Sequence, residues 1–434
     1  MLRFDKISGV VGSYCPPADK SVTHRALIMA AMAKGHSHLK NVLTAEDCLC
    51  TLGILAKLGV RFDIEDIEED GRHITCATVI SDGYENFVEP AGPLWCGNSG
   101  TTARLMAGVL APIGINAELT GDESLKHRPM RRVTEPLSFM GANISTLHND
   151  ECLPILIKPA KMHAVTIPNP IDSAQVKCAL SLAALQLDGT TKIPLGRPTR
   201  NHIEKMLPCF GARVAKIDNM IHVTGKTVLT PADFAIPGDI SSAAFMIAAV
   251  YMFPGSQLTI SSVGLNSTRT VILDILRSWG ADISIIPTGE DSGNMKIKHS
   301  RLKGGMIYGA QSSLAIDELP VLAMLGLYAS EPVIIKDASE LRVKESDRIM
   351  AVAANLRALG AEVYTHAGGL AVYPLDDSKV KPDVELSSYG DHRIAMINVL
   401  LAKKYGLRIQ KKDLSDINVS YPAFLDDLKA LEVS

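Results

Sequence analysis

Charged residues are concentrated in two short segments, 341–348 and 391–393, within an otherwise apolar half of the chain. Together they contain four cations, three carboxylates and one histidine: Arg342, Lys344, Arg348, Arg393, Glu345, Asp347, Asp391 and His392. Cations bind phosphate and carboxylate groups, whereas carboxylates and histidine transfer protons. The segments therefore predict a site that binds a phosphorylated compound and moves a proton. The alternative is a salt-bridged helix surface, since Lys344 and Arg348 are four residues apart.

Two other segments place anion-binding residue types at predicted helix starts. Residues 19–25 precede and open a helix predicted over 22–32, where a lysine and an arginine can reach an anion at the positive end. Residues 97–104 form a glycine-flanked turn before a helix predicted over 105–110. The backbone N–H groups of this turn can bind a phosphate or a carboxylate, although no Walker A lysine closes it. A capped helix in a tight turn is the alternative.

Further polar segments are also predicted to lie at helix starts. They are 124–130, 172–177 and 198–202. A fourth segment, 315–320, places Asp317 and Glu318 between an apolar strand and an apolar helix. A carboxylate in such a position caps a helix or acts as a general base, and the residues alone leave both possibilities open.

A repeated pattern predicts the elements that position these segments. A helix end of the form L-x-x-x-G, followed by a small or branched residue and a strand, recurs at glycines 69 to 82 residues apart: Gly59, Gly141, Gly211, Gly280 and Gly360. A degenerate sixth copy has Glu432 in place of the glycine. A glycine there suits a left-handed helix end, and a second strand follows most copies. We expect an α/β fold of six units in two domains, with residues 1–18 and 238–434 in one and 19–237 in the other.

Composition excludes several classes of protein. The 434 residues carry a net charge of −3, which argues against a nucleic-acid partner. The sequence has no apolar run long enough for a membrane span and no signal-peptide pattern at its start. Its eight cysteines lack zinc-site spacing, so we expect reduced thiols, no bound metal and a cytoplasmic location.

In their order and spacing, seven motifs give the whole chain a specific resemblance to a known family. The motifs are DKSVTHR, GNSGTTARL, LKHRPM, DSAQVK, AIDELP, LRVKESDR and GDHRIAM. The chain resembles the 5-enolpyruvylshikimate-3-phosphate synthases, within the enolpyruvyl transferases, and several motifs are similar to the class II branch. The resemblance implies a two-lobed inside-out α/β barrel with its active site in the cleft between the lobes. It also implies transfer of the enolpyruvyl group of phosphoenolpyruvate to the 5-hydroxyl of shikimate 3-phosphate through a tetrahedral intermediate.

Matching motifs imply roles for individual residues. The residues implied to bind shikimate 3-phosphate are Lys20, Ser21, Arg25, Ser173, Gln175, Arg200, Asp317 and Lys344. Those implied to bind phosphoenolpyruvate are Lys20, Asn98, Gly100, Thr101, Arg128, Gln175, Arg348 and Arg393. Those implied to be catalytic are Asp317, Glu345, Lys20 and His392. The chain departs from the family pattern at Ala174, where a serine is usual, and within 418–422, where many members have a lysine.

The charges of the two substrates agree with this assignment. Each substrate has a phosphate and a carboxylate, so the pair brings roughly −5 to −6 of charge into one site. Arginine suits bidentate contacts to both groups. Protonation of the enol carbon leaves an oxocarbenium-like centre that a carboxylate can stabilise. The expected chemistry needs no metal or redox cofactor.

One alternative function belongs to the same class and one belongs to another class. The first is the sibling enzyme that transfers enolpyruvyl to UDP-N-acetylglucosamine, but residues 121–129 lack the cysteine that the sibling has in this loop. The second is a non-catalytic anion-binding module, which gains nothing from carboxylates such as Asp317 and Glu345 in its site. We expect a monomeric enzyme whose partners are the two small substrates.

Overall fold

The structure is a computed structural model that describes residues 1–69, 71–147, 151–381 and 383–433. These residues form two compact units. Unit 1 comprises the described residues of Met1–Asp19 and Pro237–Ser434, and unit 2 comprises those of Lys20–Ile236. Among the described residues, no helix is both long enough and apolar enough to cross a membrane.

Strands and helices alternate throughout both units. The strands are β1 Leu2–Arg3, β2 Gly9–Tyr14, β3 Lys34–Lys40, β4 Arg61–Glu69, β5 Arg72–Asp82, β6 Leu94–Trp95, β7 Ala117–Thr120, β8 Asn143–Thr146, β9 Ile155–Lys158, β10 Thr190–Pro194, β11 Arg213–Ile217, β12 Met220–Thr224, β13 Phe234–Ala235, β14 Gln257–Gly264, β15 Asp282–Pro287, β16 Ser292–Lys298, β17 Gly305–Ile307, β18 Val333–Ile335, β19 Val363–His366, β20 Gly369–Val372, β21 Glu385–Leu386, β22 Arg408–Ile409 and β23 Glu432–Val433. The α-helices are α1 Lys20–Met32, α2 Glu46–Lys57, α3 Gly100–Leu110, α4 Glu123–Lys126, α5 Arg131–Phe139, α6 Ala174–Ala184, α7 His202–Cys209, α8 Ile240–Met252, α9 Val271–Ser278, α10 Ala310–Leu314, α11 Leu319–Leu325, α12 Arg348–Leu359, α13 His392–Tyr405, α14 Lys411–Ser415 and α15 Phe424–Leu431. Short 3₁₀ helices cover Tyr84–Asn86, Ser339–Val343, Asp377–Lys379 and Asp416–Val419. The fold is therefore mixed α/β.

Each unit contains three small sheets in its described residues. Unit 2 has the strand orders β13-β3-β5-β4, β6-β7-β9-β8 and β10-β12-β11. Unit 1 has β15-β16-β14-β2-β23, β17-β18-β20-β19 and β1-β22-β21. Four of these sheets share one pattern, in which a parallel pair is followed by two antiparallel pairs. The shared pattern shows that the same α/β arrangement recurs in both units.

The five predicted glycines mark this recurrence. Their φ angles all lie between 79° and 105°, in the left-handed region that a side chain with a Cβ rarely adopts. An antiparallel hairpin follows each glycine: β4–β5, β8–β9, β11–β12, β15–β16 and β19–β20. Glu432, at the degenerate sixth copy, has a φ of −65°. The expectation of helix, left-handed glycine and hairpin is confirmed at all five glycines.

Apolar helices form the centre of each unit. All of α8 is buried, because this helix is apolar around nearly its whole circumference. Helix α1 is buried from Val22 onward, including the polar residues Thr23, His24 and Arg25. In unit 2, α3 and α6 are in such close contact that a Cβ on Gly108 would lie 2.1 Å from the carbonyl oxygen of Ala179. This contact holds the starts of α3 and α6, which carry predicted site residues, in one arrangement.

The two chain segments that leave unit 1 are tied to each other within that unit. Asp19 N donates to Pro237 O, and Asp239 N donates to Pro17 O, each at 2.8 Å. Arg269, only 3% exposed, lies 2.6 Å from Asp239 Oδ1 and 3.4 Å from Asp19 Oδ2. A buried guanidinium needs such carboxylate partners. This buried pairing fixes the segment that immediately precedes Lys20.

Candidate active site

In unit 2, Lys20 lies at the start of α1 and forms a largely buried ion pair. Helix α1 begins at Lys20, two residues earlier than the sequence predicted. The Lys20 Nζ atom is 2.9 Å from Asp47 Oδ2, and their side chains are 16% and 6% exposed. Nearby, Arg25 is buried and its Nη1 donates to Ser21 O at 2.7 Å. Asp47 was not predicted as a site residue, although it occupies the first turn of a helix.

The turn before α3 is held by its own backbone, since Ser99 N donates to Cys96 O at 2.9 Å and Gly100 N donates to Asn98 O at 3.1 Å. Ser99 caps α3 by accepting a hydrogen bond from Thr102 N, so the helix begins at Gly100 rather than at the predicted residue 105. Gly100 and Thr101 therefore occupy the first helical turn, where N–H groups lack intrahelical partners and the helix dipole favours an anion. The Asn98 side chain is held in place by donating from Nδ2 to Asp122 Oδ2 at 2.7 Å.

Two guanidinium groups lie against this turn. Arg128 is buried, donating to Asn98 O at 3.1 Å, to Ser124 Oγ at 3.2 Å and to Asn98 Oδ1. A Cβ built on Gly100 would lie 2.7 Å from Arg104 Nη1 and 3.5 Å from Arg128 Nη1. Cations and N–H donors thus converge on the space beside Gly100, as a phosphate or carboxylate requires.

Gln175 joins α6 to the same turn. Its Nε2 donates to Thr101 Oγ1 at 3.0 Å, and its Oε1 accepts from Arg104 Nη1 at 2.8 Å. Arg104 also donates to Pro129 O at 3.1 Å, next to Arg128. Sequence reasoning missed Arg104, although it ends the GNSGTTAR motif. The structure shows that this arginine connects three of the predicted segments.

A second polar group lies further along α6. Ser173 caps the helix by accepting from Val176 N at 3.5 Å. Lys177, 1% exposed, donates to Glu204 Oε1 at 2.5 Å and to the backbone oxygen of Arg200 at 3.0 Å. Burial lowers the pKa of Lys177, although Glu204 opposes the shift. The predicted residue Arg200 therefore lies next to the α6 segment that carries Ser173 and Gln175.

In unit 1, a buried arginine gathers three carboxylates. Arg348 is 1% exposed and lies 2.7 Å from Asp391 Oδ2, 2.6 Å from Glu345 Oε2 and 3.3 Å from Asp317 Oδ1. Burial lowers the pKa of Arg348, but Asp391 and Glu345 outweigh burial, so the net pKa is raised. Helix α12 begins only at Arg348, so the alternative of a salt-bridged helix surface over 341–348 is wrong.

Asp317 and Arg393 come together at the start of α11. Arg393 Nη1 donates to Asp317 O at 3.1 Å, and its Nη2 lies 3.9 Å from Asp317 Oδ2. Helix α11 begins at Leu319, where Glu318 is the cap residue and makes no side-chain cap bond. Glu318 instead accepts a hydrogen bond from Ser241 Oγ. The Asp317 carboxylate is thus part of a group of charges with Arg348 and Arg393.

Asp391 organises the second half of this charged group. It is fully buried and caps α13 by accepting from Arg393 N at 2.9 Å, and it also accepts from Arg348 and from Ser346 Oγ at 3.2 Å. His392 Nδ1 lies 4.0 Å from Asp391 Oδ1. The sequence placed Asp391 in the charged cluster but gave it no role. In the structure it holds the guanidinium of Arg348 and the backbone N–H of Arg393.

Comparison with known proteins decides the family. Residues 4–428 match the family model described as EPSP synthase (3-phosphoshikimate 1-carboxyvinyltransferase). The chain belongs to the EPSP synthase family. It is 38% identical to a protein of Bacillus velezensis and 39% identical to one of Bacillus subtilis, each over 434 residues and 99% of both chains. Both relatives are named 3-phosphoshikimate 1-carboxyvinyltransferase.

Solved structures agree with this family. An EPSP synthase of Acinetobacter baumannii aligns with a TM-score of 0.82 and 32% identity, covering 100% of this chain and 98% of the other. The enolpyruvyl transferase NikO of Streptomyces tendae aligns with a TM-score of 0.75 over 99% of this chain and 96% of its own. At 17% identity, the second alignment shows a shared fold alone.

Within this EPSP synthase family chain, the predicted residues form two groups. Unit 2 holds Lys20, Ser21, Arg25, Asn98, Gly100, Thr101, Arg128, Ser173, Gln175 and Arg200, and unit 1 holds Asp317, Lys344, Glu345, Arg348, His392 and Arg393. Loss of hydration lowers the pKa of Lys344, against the opposing effect of Asp317 and Glu340. A lysine with a lowered pKa beside carboxylates can take part in proton transfer as well as in anion binding. The individual roles of these residues stay predictions.

Proposed function

We propose that this chain transfers the enolpyruvyl group of phosphoenolpyruvate to the 5-hydroxyl of shikimate 3-phosphate and releases phosphate. The reaction belongs to the shikimate pathway, which supplies aromatic amino acids. The match to the EPSP synthase family over residues 4–428 carries the proposal. The two charged groups support it, since the reaction needs bound anions and carboxylates that move protons.

Binding is divided between the two charged groups. The turn at Gly100, with Arg128 and the N–H groups of α3, supplies donors for one oxyanion of phosphoenolpyruvate. Arg348 and Arg393 supply donors for another. Carboxylates already contact both arginines, so each guanidinium is held in a defined orientation before substrate arrives.

Proton transfer accompanies both halves of the reaction. In the first half, Asp317 takes the proton of the 5-hydroxyl. The oxygen of this hydroxyl then bonds to C2 of phosphoenolpyruvate, and Glu345 or Lys20 delivers a proton to C3. The product is a tetrahedral intermediate. In the second half, the bond from C2 to the phosphate oxygen breaks, and the phosphate leaves with the proton that Asp317 accepted. Glu345 or Lys20 takes a proton back from the new methyl group, which restores the carbon–carbon double bond. His392 lies beside this path and is buried next to Asp391.

We further propose that both units contribute to one active site in a two-lobed inside-out α/β barrel of six repeated units. Five helix–glycine–hairpin repeats, spread over both units, support the repeated architecture. The division of the predicted residues supports a shared site, since the residues predicted to bind each substrate are drawn from both units.

A direct assay tests the proposed reaction. Purified chain is incubated with phosphoenolpyruvate and shikimate 3-phosphate, and released phosphate is measured alongside ³¹P and ¹H spectra of the product. We expect equal amounts of phosphate and of a new enolpyruvyl ether. Release with UDP-N-acetylglucosamine instead would identify the sibling activity, and release with neither acceptor would contradict enolpyruvyl transfer.

Location and assembly are part of the same proposal. A cytoplasmic monomer is the state expected from the sequence, and light scattering on the purified chain measures its mass against the 46.6 kDa of one chain. A mass of twice that value would contradict the monomer.

A further inference from the structure

A chain of buried hydroxyl groups in unit 2 leads to the turn at Gly100. His24 Nδ1 lies 2.7 Å from Thr51 Oγ1, and Thr51 Oγ1 lies 2.7 Å from Thr102 Oγ1. Thr102 Oγ1 then donates to Ser99 Oγ at 2.8 Å. The four side chains are at most 1% exposed and come from α1, α2 and the start of α3. We call these four residues the hydroxyl relay.

Counting protons gives the relay a direction. A threonine hydroxyl has one proton, and that of Thr102 is assigned to Ser99 Oγ at 2.8 Å, because its other acceptor, Asp47 O, is more distant at 3.4 Å. Thr51 must therefore donate to Thr102, and His24 must donate to Thr51 from a protonated Nδ1. Ser99 Oγ already accepts from Thr102 Oγ1 and, at 3.1 Å, from Thr102 N. The proton of Ser99 itself is consequently not used within the relay.

His24 is a buried residue that the proposed reaction does not use. Its Nε2 is buried without a hydrogen-bond partner among the described residues. Burial, together with the charges of Lys20 and Arg25, lowers the pKa of His24 well below its usual value, so the ring is neutral. A neutral ring with the proton on Nδ1 is the form that the relay requires. Buried polar atoms without partners are rare, and functional networks often account for them.

We propose that the hydroxyl relay positions the turn at Gly100 and directs the Ser99 hydroxyl proton to an oxyanion of phosphoenolpyruvate. The proposal rests on the proposed function, and it assigns to that site four residues that carry no role in it. A hydroxyl whose oxygen already accepts two hydrogen bonds is polarised and is a better donor to an anion. Because the relay links α1 to the first turn of α3, it also aligns the turn with the segment that carries Lys20 and Ser21.

Isosteric replacements of buried threonines test the relay. Thr51→Val removes the middle hydroxyl and keeps the shape of the side chain. We expect the KM for phosphoenolpyruvate, measured at saturating shikimate 3-phosphate, to rise about 3- to 30-fold, the effect of one weakened hydrogen bond to an anion. The calorimetric affinity for shikimate 3-phosphate alone should change less than about twofold, as expected for a contact specific to the turn. Thr51→Ser, which restores a hydroxyl, should restore the KM.

Thr23→Val is the matched control. Thr23 is a fully buried threonine on α1 whose Oγ1 accepts from Leu43 N at 3.3 Å, outside the relay. The Thr23→Val variant loses a buried hydroxyl just as Thr51→Val does, and its KM for phosphoenolpyruvate should stay at the wild-type value. Equal increases in the two variants, or none in Thr51→Val, would overturn the relay. An inactive wild-type chain would instead refute the proposed function.

The tautomer of His24 gives an independent measurement. Long-range ¹H–¹⁵N spectra of histidine-labelled protein distinguish protonation at Nδ1 from protonation at Nε2, and His24→Gln assigns the signal among the twelve histidines. We expect a neutral ring with its proton on Nδ1. A proton on Nε2 would reverse the order of donors and overturn the assignment of the Ser99 proton.

Discussion

Gly100→Ala tests the crowded geometry of the proposed phosphoenolpyruvate site. The new Cβ would lie 2.7 Å from Arg104 Nη1, so the guanidinium must retreat by about 0.7 Å to reach ordinary contact at 3.4 Å. Arg104 Nη1 also holds Gln175 Oε1 at 2.8 Å, and a shift of this size stretches or bends that hydrogen bond out of range. Gln175 in turn donates to Thr101 in the same turn.

The expected increase in KM is that of one lost charge-assisted bond between the displaced guanidinium and phosphoenolpyruvate. A bond of this kind contributes about 1.5–3 kcal/mol, which corresponds to an increase of about 10- to 100-fold in the KM for phosphoenolpyruvate. Folding stability should fall by about 0.5–2 kcal/mol, because the Arg104–Gln175 hydrogen bond is lost and alanine, the better helix former, regains only about 1 kcal/mol. Steady-state kinetics with each substrate varied in turn, together with thermal unfolding, measures both quantities.

Gly53→Ala provides the control. Gly53 lies inside α2, and a Cβ there would meet no atom within 4 Å. This variant should gain slight stability and keep both KM values. If Gly100→Ala left the KM for phosphoenolpyruvate within about twofold of wild type, the guanidinium groups would not be part of the binding site, and the reasoning would fail.

Three further predictions concern the unit 1 charges and ligand-driven closure. Arg393→Ala should weaken phosphoenolpyruvate binding about 10- to 100-fold and leave shikimate 3-phosphate binding nearly unchanged by calorimetry, whereas equal losses would refute the assigned role. Asp317→Asn and Glu345→Gln should lower kcat by about 10²–10⁴ in rapid-quench assays with substrate binding kept, and a near-normal kcat for Asp317→Asn would leave that residue a purely structural role. Shikimate 3-phosphate should raise the Tm and reduce the radius of gyration in small-angle scattering, and an unchanged radius at saturation would count against closure.

Local rules were enough to predict much of the fold. The left-handed helix ends at Gly59, Gly141 and Gly360 follow from the missing Cβ, and the hairpins after them follow from short alternating strands flanked by turn residues. Anion-binding segments were also visible, because cations, glycines and hydroxyls cluster within a few residues of one another. These features depend on neighbours in the chain, which a sequence displays directly.

Helix starts were predicted less well. Lys20 and Gly100 belong to the first turns of α1 and α3, whereas the sequence placed both in loops ahead of those helices. The apolar pattern that indicates a helix begins only once side chains face the core, and the polar first turn precedes it. Ser99, which caps α3, marks the true start of this helix.

Only the tertiary structure decided which charges and hydroxyls meet. Arg104 and Gln175 are 71 residues apart, and Arg348 and Asp391 are 43 apart, yet each pair is hydrogen-bonded. The choice of partner depends on how α3 packs against α6, and α12 against α13, which no local pattern specifies. Burial then gives these contacts their strength, because a charge removed from water must find a partner in the protein. The sequence by itself thus determined which residue types and repeated elements are present, and packing between distant helices determined which of them act together.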